Sequence, residues 1–233
     1  MSDLEFDIHF DAENFSGMIP IFPLPEVVLF PNMLLPLHIF EPRYREMVRA
    51  AMAGDQFLGM AKLQQGWEDD YHGEPPIHER LGMGRIVKCE ELDDGRFNIL
   101  VLGLHRVEIV EELPADPYRQ ARVILLEDER GDADALESIR QKLKIEYDKL
   151  TGIIGGQPAI DSVVENQNLP VEFVADAVAS SLQIDPETRQ QLLEELEVLA
   201  RAGKLLEWIH TQLRALRFYD KLDDFDSGDP RLN

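Results

Sequence analysis

The sequence predicts an α+β fold, with a β-rich part up to about residue 127 and a helical part beyond it. Three observations carry this. Over the first half, apolar residues alternate or fall in short runs cut by prolines and glycines. From about Asp128 the spacing changes to three and four, placing Leu136, Ile139, Leu143, Tyr147 and Leu150 on one helical face. The chain has 233 residues, 44% hydrophobic and 29% charged, enough length and apolar content to bury a core.

The elements follow in order. Residues 1–17 form an N-terminal arm in which Leu4, Phe6, Ile8 and Phe10 alternate with Asp3, Glu5, Asp7 and His9. Period two predicts a strand that pairs with an edge of its own barrel or with a second copy of the chain, a route to a homodimer. From Met18 to Ile39, Pro23, Pro25, Pro31 and Pro36 interrupt short apolar runs. Proline has no donor and sits at edges, strand starts and bends, so this segment reads as the winding start of a small barrel. "EPRYREMVRAAMAGD" then switches to a helix with Pro42 at its first position and Tyr44, Met47, Val48 and Met52 as its apolar stripe. "QFLGMAKL" is a strand, and residues 64–80 are a long polar loop. Asp93-Asp94-Gly95-Arg96 is a hairpin turn between two β-rich runs, and "YRQARVILLED" closes the β part. The barrel is thus expected over 18–127.

A helical bundle is expected over 128–220. Its second helix is "PVEFVADAVASSL", and Asp185-Pro186 is a helix start with an acid at the N-cap and proline at N1. The stripe from Leu192 to Leu216 is one long helix or two abutting ones. Residues 221–233 read as an acidic tail, mostly disordered.

Charge excludes some functions. The chain carries 45 Asp+Glu against 23 Lys+Arg, a net −22 spread along its whole length. Such a surface repels phosphate backbones, and no basic patch interrupts it, so no nucleic-acid partner is expected. The N-terminus has no signal-peptide pattern and no apolar run reaches membrane-spanning length, so the expected location is the cytoplasm. Cys89 is the only cysteine, beside Glu90 and Glu91, which raise a thiol pKa.

No phosphate-binding glycine loop and no nucleophile elbow are present. His72 and His78 share a loop with Asp69, Asp70 and Glu74 but lack the tight spacing of a zinc site, so neither a metal nor another cofactor is expected. His38 and His105 sit in apolar runs and read as hydrogen-bonded core or rim histidines. Trp67 and Tyr71 stand in the polar loop, where an aromatic either anchors a ligand or folds back to cap the barrel.

Three blocks carry a resemblance: "IPIFPLPEVVLFPNMLLPLHIFEPRYREMV" (19–48), "LGMGRIVKCEELDDGRFNILVLGLHRVEI" (81–109) and "PYRQARV" (117–123). In order and spacing they resemble the N-terminal substrate-recognition domain of Lon proteases, and "RQQLLEELEVLARAGKLLEWI" is similar in the helical part. The resemblance covers about residues 18–216. It implies a PUA-like β pseudo-barrel followed by a C-terminal helical bundle. It also implies a non-catalytic module that binds unfolded or extended polypeptide, standing alone without the ATPase and protease domains. The ligase adaptor cereblon is similar in the same module, so an adaptor docking one folded protein partner is the alternative. Within these blocks Glu41 is expected to pair with Arg106, holding the first helix against the "GLHRV" strand. The candidate polypeptide contacts are Met33, Leu34, Trp67 and Tyr71.

Overall fold

The computed structural model describes residues 10–70, 73–114 and 116–226, with 69–70 and 219–226 described by backbone alone. The alternating arm lies outside the described residues except for Phe10, and with it the expected strand pairing. The elements are β1 (Met18–Leu24), β2 (Leu34–Ile39), α1 (Pro42–Ala53), β3 (Phe57–Lys62), a 3-10 turn (Trp67–Asp70), β4 (Arg80–Glu91), β5 (Phe97–Leu113), β6 (Gln120–Leu126), α2 (Ala133–Ile154), α3 (Pro158–Glu165), α4 (Val171–Ser181), α5 (Pro186–Glu194) and α6 (Val198–Asp226).

The sheet runs β2-β5-β4-β3-β1-β6, and β5 also pairs with β6. That second pairing closes β5, β4, β3, β1 and β6 into a ring and leaves β2 as an edge strand outside it. Closure depends on the length of β5, which spans 17 residues. Its first part, from Phe97 to Leu102, pairs with β2, and its last part, from Arg106 to Leu113, pairs with β6. The β4–β5 hairpin turns at Gly95, where φ is +77°, as the Asp-Asp-Gly-Arg signal predicts.

Two apolar clusters fill this part, and β3, buried along its whole length, feeds both. Leu58 and Met60 join Phe22, Leu29, Ile39, Phe97, Ile99 and Val101 under the Tyr44, Met47 and Val48 face of α1. Phe57 and Ala61 join Ile19, Ile21, Leu81, Met83, Val107 and Val123 in the second. Each side chain buried this fully contributes about 1.5–3 kcal/mol.

The described chain forms two compact units. One comprises the residues up to Glu127 together with Gln183–Leu196, and the other Asp128–Leu182 and the chain from Glu197 onward. Residues 183–196, expected in the bundle, therefore belong with the barrel. The reason is a set of polar contacts from α5. Gln190 Nε2 donates to Arg80 O (2.7 Å), Arg106 Nε to Leu193 O (2.9 Å), Arg80 Nη1 to Glu194 O (3.1 Å), and Lys62 Nζ to Glu187 Oε2 (2.8 Å). Its start is as predicted, with the Asp185 carboxylate accepting from Thr188 N (2.9 Å) and Pro186 following.

In the second unit Asp132 caps α2 by accepting from the backbone of Asp134 and Ala135. Leu143, Tyr147 and Leu150 are buried as their spacing predicts, against a core that includes Val174, Val178, Leu205, Ile209 and Leu213. The short α3 was not expected. The Leu192–Leu216 stripe divides at residues 195–197, where Val198 N donates to Glu129 O (3.0 Å) and starts α6. Helix α6 continues through Asp226, so residues 221–226 are helical where a structureless tail was expected, and 227–233 lie outside the described residues.

Candidate functional surface

The segment before β2 lies directly on the sheet. A Cβ at Gly82 would drive into the Leu29 carbonyl, and one at Gly103 into the Phe30 carbonyl. Only glycine at these two positions lets the backbone approach so closely. Asn32 then turns the chain in the left-handed region (φ 63°), with its N–H on Gly103 O (2.8 Å) and Gly103 N–H on Met33 O (2.9 Å). This turn delivers Met33 and Leu34 to the start of β2.

Along β2 the side chains alternate. Leu35, Leu37 and Ile39 face the α1 cluster, while Leu34, Pro36 and His38 are exposed, and Phe40 follows on the exposed side. Leu34 is 49% exposed and Phe40 60%, large values for such side chains. Pro36, opposite Leu100, has no N–H to give, which an edge strand tolerates. His38 is held on both ring nitrogens, Nδ1 against Asn98 Oδ1 (2.8 Å) and Nε2 against Arg96 Nη1 (3.2 Å). The Nδ1-protonated tautomer satisfies both, so His38 is the rim histidine its apolar setting predicts. Its ring stacks against Phe40 at 6.4 Å between centroids.

Three residues beyond Phe40, where α1 begins, a cavity of about 30 Å³ opens. It is lined by Pro23, Arg43, Tyr44, Leu63, Gly73, Pro75, Pro117, Tyr118 and Arg119. Tyr44 is fixed by Phe22, 4.4 Å away between ring centroids. The Arg43 guanidinium lies 4.7 Å from the Tyr44 ring centre, with Nε donating to Glu41 Oε2 (3.1 Å). Arg119 is held by Pro75 O (2.6 Å) and Glu112 Oε2 (3.0 Å from Nε).

The other expected site residues fall elsewhere. Trp67 is half-buried and packs on the barrel cluster with Phe10, Phe15 and Leu104. That is the barrel-capping placement, and β5 and β4 separate β2 from β3, the strand that leads to Trp67. Tyr71 lies outside the described residues. Glu41 meets Arg43, and Arg106 meets Leu193 O and the Phe30 ring (5.8 Å). Ile39 stands opposite Phe97, nine residues from Arg106 on the same strand. Phe40 was missed, although it shares the parity of Leu34 in "LLPLHIF". The cavity gave no sequence signal, since it joins residues far apart in the chain.

His78 Nδ1 meets Glu194 Oε1 at 2.8 Å. Burial pushes His105 below the ordinary imidazole range, against a smaller opposing effect of Glu127. Burial, and then Glu91, pushes the Cys89 thiol up. Among the described residues no group of three or more His, Cys, Asp or Glu is placed to hold a metal, and no helix is long and apolar enough to cross a membrane.

Comparison with known proteins adds the following. The family model for the ATP-dependent protease La (LON) substrate-binding domain matches residues 18–211. Lon protease 2 of Herpetosiphon aurantiacus is 32% identical over 188 residues, 80% of this chain and 23% of that protein. Lon protease of Desulfosudis oleivorans is 25% identical over 222 residues, 94% of this chain and 27% of that protein. The chain thus spans about a quarter of the length of these curated relatives. Among solved structures, the N-terminal domain of Mycobacterium avium complex Lon protease matches with a TM-score of 0.67 at 16% identity, over 83% of this chain and 98% of that one. A Lon N-terminal domain protein from Xanthomonas campestris matches with a TM-score of 0.60 at 19% identity, over 82% and 98%. At these identities the structural likeness shows the fold, an α+β arrangement with a PUA-like barrel.

Proposed function

Since this chain belongs to the LON substrate-binding domain family, we propose that it binds unfolded or extended polypeptide, without catalysis of its own, through the apolar strip from Met33 to Phe40. The observation that supports this most is the exposure of Leu34 and Phe40 on an edge strand whose opposite face is packed. Apolar side chains held in water by a rigid strand mark an interaction surface. Pro36 blunts the edge against backbone pairing, so side chains, not added ladder bonds, make the contact. Trp67 is left out of the proposed surface, because it packs against the barrel cluster.

Binding of a permanently unfolded probe, a reduced and carboxymethylated protein, to the full chain tests the reading. The unfolded probe should bind, and its native counterpart should not. Leu34→Ser and Phe40→Ser each remove a contact of about 1.5–3 kcal/mol, roughly a tenfold or greater loss of affinity. Their melting curves should match that of the parent chain. Binding of a single folded protein with no affinity for the unfolded probe would replace this reading by a dedicated adaptor.

A further inference from the structure

The face of β2 that carries Leu34 is wider than one strand. Residues directly opposite each other in paired strands share a face. Leu34 stands opposite Leu102, Leu102 opposite Arg85, and Arg85 opposite Phe57, which makes one row across β2, β5, β4 and β3. Pro36, Leu100 and Lys88 make the next row, and His38, Asn98 and Glu90 the one after. Leu100 and Leu102 are half-buried and pack against neither apolar cluster, and Leu34, Pro36 and His38 are exposed. The described chain begins at one end of this face. Phe10 meets the His105 ring at 4.6 Å and the Phe57 ring at 5.6 Å between centroids, and Phe57 is the last member of the Leu34 row.

Resting on the polypeptide-binding reading, we propose that residues 4–8 of the same chain lie extended across these rows, in the place that an incoming polypeptide takes. Three features support this occupant. The first is spacing. Successive rows are two residues apart on β5, about 7 Å, and in an extended segment Ile8, Phe6 and Leu4 follow Phe10 at the same interval. The bulge at Met83/Gly84 absorbs the extra residue between His105 and Leu102. With Phe10 at His105, the three apolar residues therefore match the Leu102, Leu100 and Asn98 rows in turn. The second is chemistry. Leu34, Leu102, Pro36 and Leu100 offer an apolar floor to one side of the alternating arm, and the residues between, Asp3, Glu5 and Asp7, match the cations Arg85 and Lys88 in the first two rows and Arg96 beside His38. The third is the tether. A segment held this close is present at an effective concentration of about millimolar order, well above that of a dilute partner.

Two measurements on the full chain test this. With benzoylphenylalanine in place of Phe6, irradiation should crosslink the arm to the segments carrying Leu34–His38 or Leu100–Leu102, within one chain and to the same extent at every protein concentration. In the second, the triple variant Leu4→Ser, Phe6→Ser, Ile8→Ser is titrated with the reduced, carboxymethylated probe. Freeing a face that the arm covers most of the time should raise the affinity about fivefold or more, because apparent affinity scales with the open fraction. Crosslinks confined to other segments or to a second chain, or equal affinity of parent and variant for the probe, would overturn the arm as occupant and leave polypeptide binding standing. If neither chain binds the probe, the polypeptide reading falls and the competition with it, while the crosslink position still decides whether the arm covers the face.

Discussion

At the scale of single residues, the close approach at Gly82 and Gly103 governs the placement of the whole β2 edge. Both glycines face backbone carbonyls, which have no rotamer to yield. Gly103→Ala is therefore expected to destabilise the chain by about 1–3 kcal/mol or more, the usual cost of overpacking, and to shift the Leu29–Met33 turn. A lowered urea midpoint with changed β2 amide shifts would show this. An unchanged midpoint would mean that the segment relaxes away from the sheet at no cost. In the sequence, Gly103 is one glycine in the apolar run "LVLGLHRV", and nothing local reveals what lies above it. The partners of charged residues such as Glu41 and Arg106 are hard to read for the same reason. Both are charged residues in apolar surroundings, but which charge meets which is set by register, and register places Arg106 beside α5. Residue types read well where their role is local, as with Pro42 and Asp185 at helix starts, and poorly where it depends on distant segments.

At the scale of elements, periodicity located nearly every strand and helix, and it misplaced α5. Leu192 continues the spacing of the following helix, so the stripe reads as one bundle surface. What assigns α5 to the barrel is polar: the contacts of Glu187, Gln190, Leu193 and Glu194 to Lys62, Arg80 and Arg106, which no apolar pattern shows. The short α3 escaped because eight residues after a glycine-rich break offer too few turns for a stripe. The docking of α5 should be acid-sensitive. The hydrogen bond and charge of Lys62 lower the Glu187 pKa, and hydrogen bonds from Thr188 lower that of Asp185. Folded-state values below the ordinary 4.5 and 3.8 mean that the stability these groups add is fully present above those values. It drains away as pH falls through the depressed folded-state values. Protection of the residue 186–194 amides, taken relative to the intrinsic exchange rate at each pH, should fall between about pH 5 and pH 3, ahead of that of β3 and β4. Glu187→Gln should exchange faster at pH 6 and show a flatter pH dependence. An α5 that keeps its protection down to the acid unfolding of the barrel would contradict this.

At the scale of the whole molecule, the two units have separate cores, and the chain provides one tryptophan to report on each: Trp67 in the barrel unit and Trp208 in the helical unit. The helical unit buries the Arg201 cation almost completely. Arg201 is 1% exposed, its guanidinium meets both oxygens of Asp128 at 2.8 and 3.0 Å, and its Nε lies 3.3 Å from Asp176, itself 2% exposed. Its neutral replacement, Arg201→Met, keeps the length and apolar stem of the side chain but leaves the Asp176 charge buried without that cation. Breaking such a pair from one side costs about 3–5 kcal/mol, a large part of what a domain of this size has to lose. The loss should be confined to one unit. In a Trp67→Phe background, Trp208 emission should report a urea transition moved to clearly lower concentration by Arg201→Met. In a Trp208→Phe background, Trp67 emission should report a barrel transition that stays in place. Adding Asp176→Leu removes the stranded charge, and most of the lost stability should return, since apolar replacement of a buried ion pair is often neutral. Equal displacement of both tryptophan transitions would show that the units unfold as one. A Trp208 transition unmoved by Arg201→Met would show that the buried cation contributes nothing net to the fold.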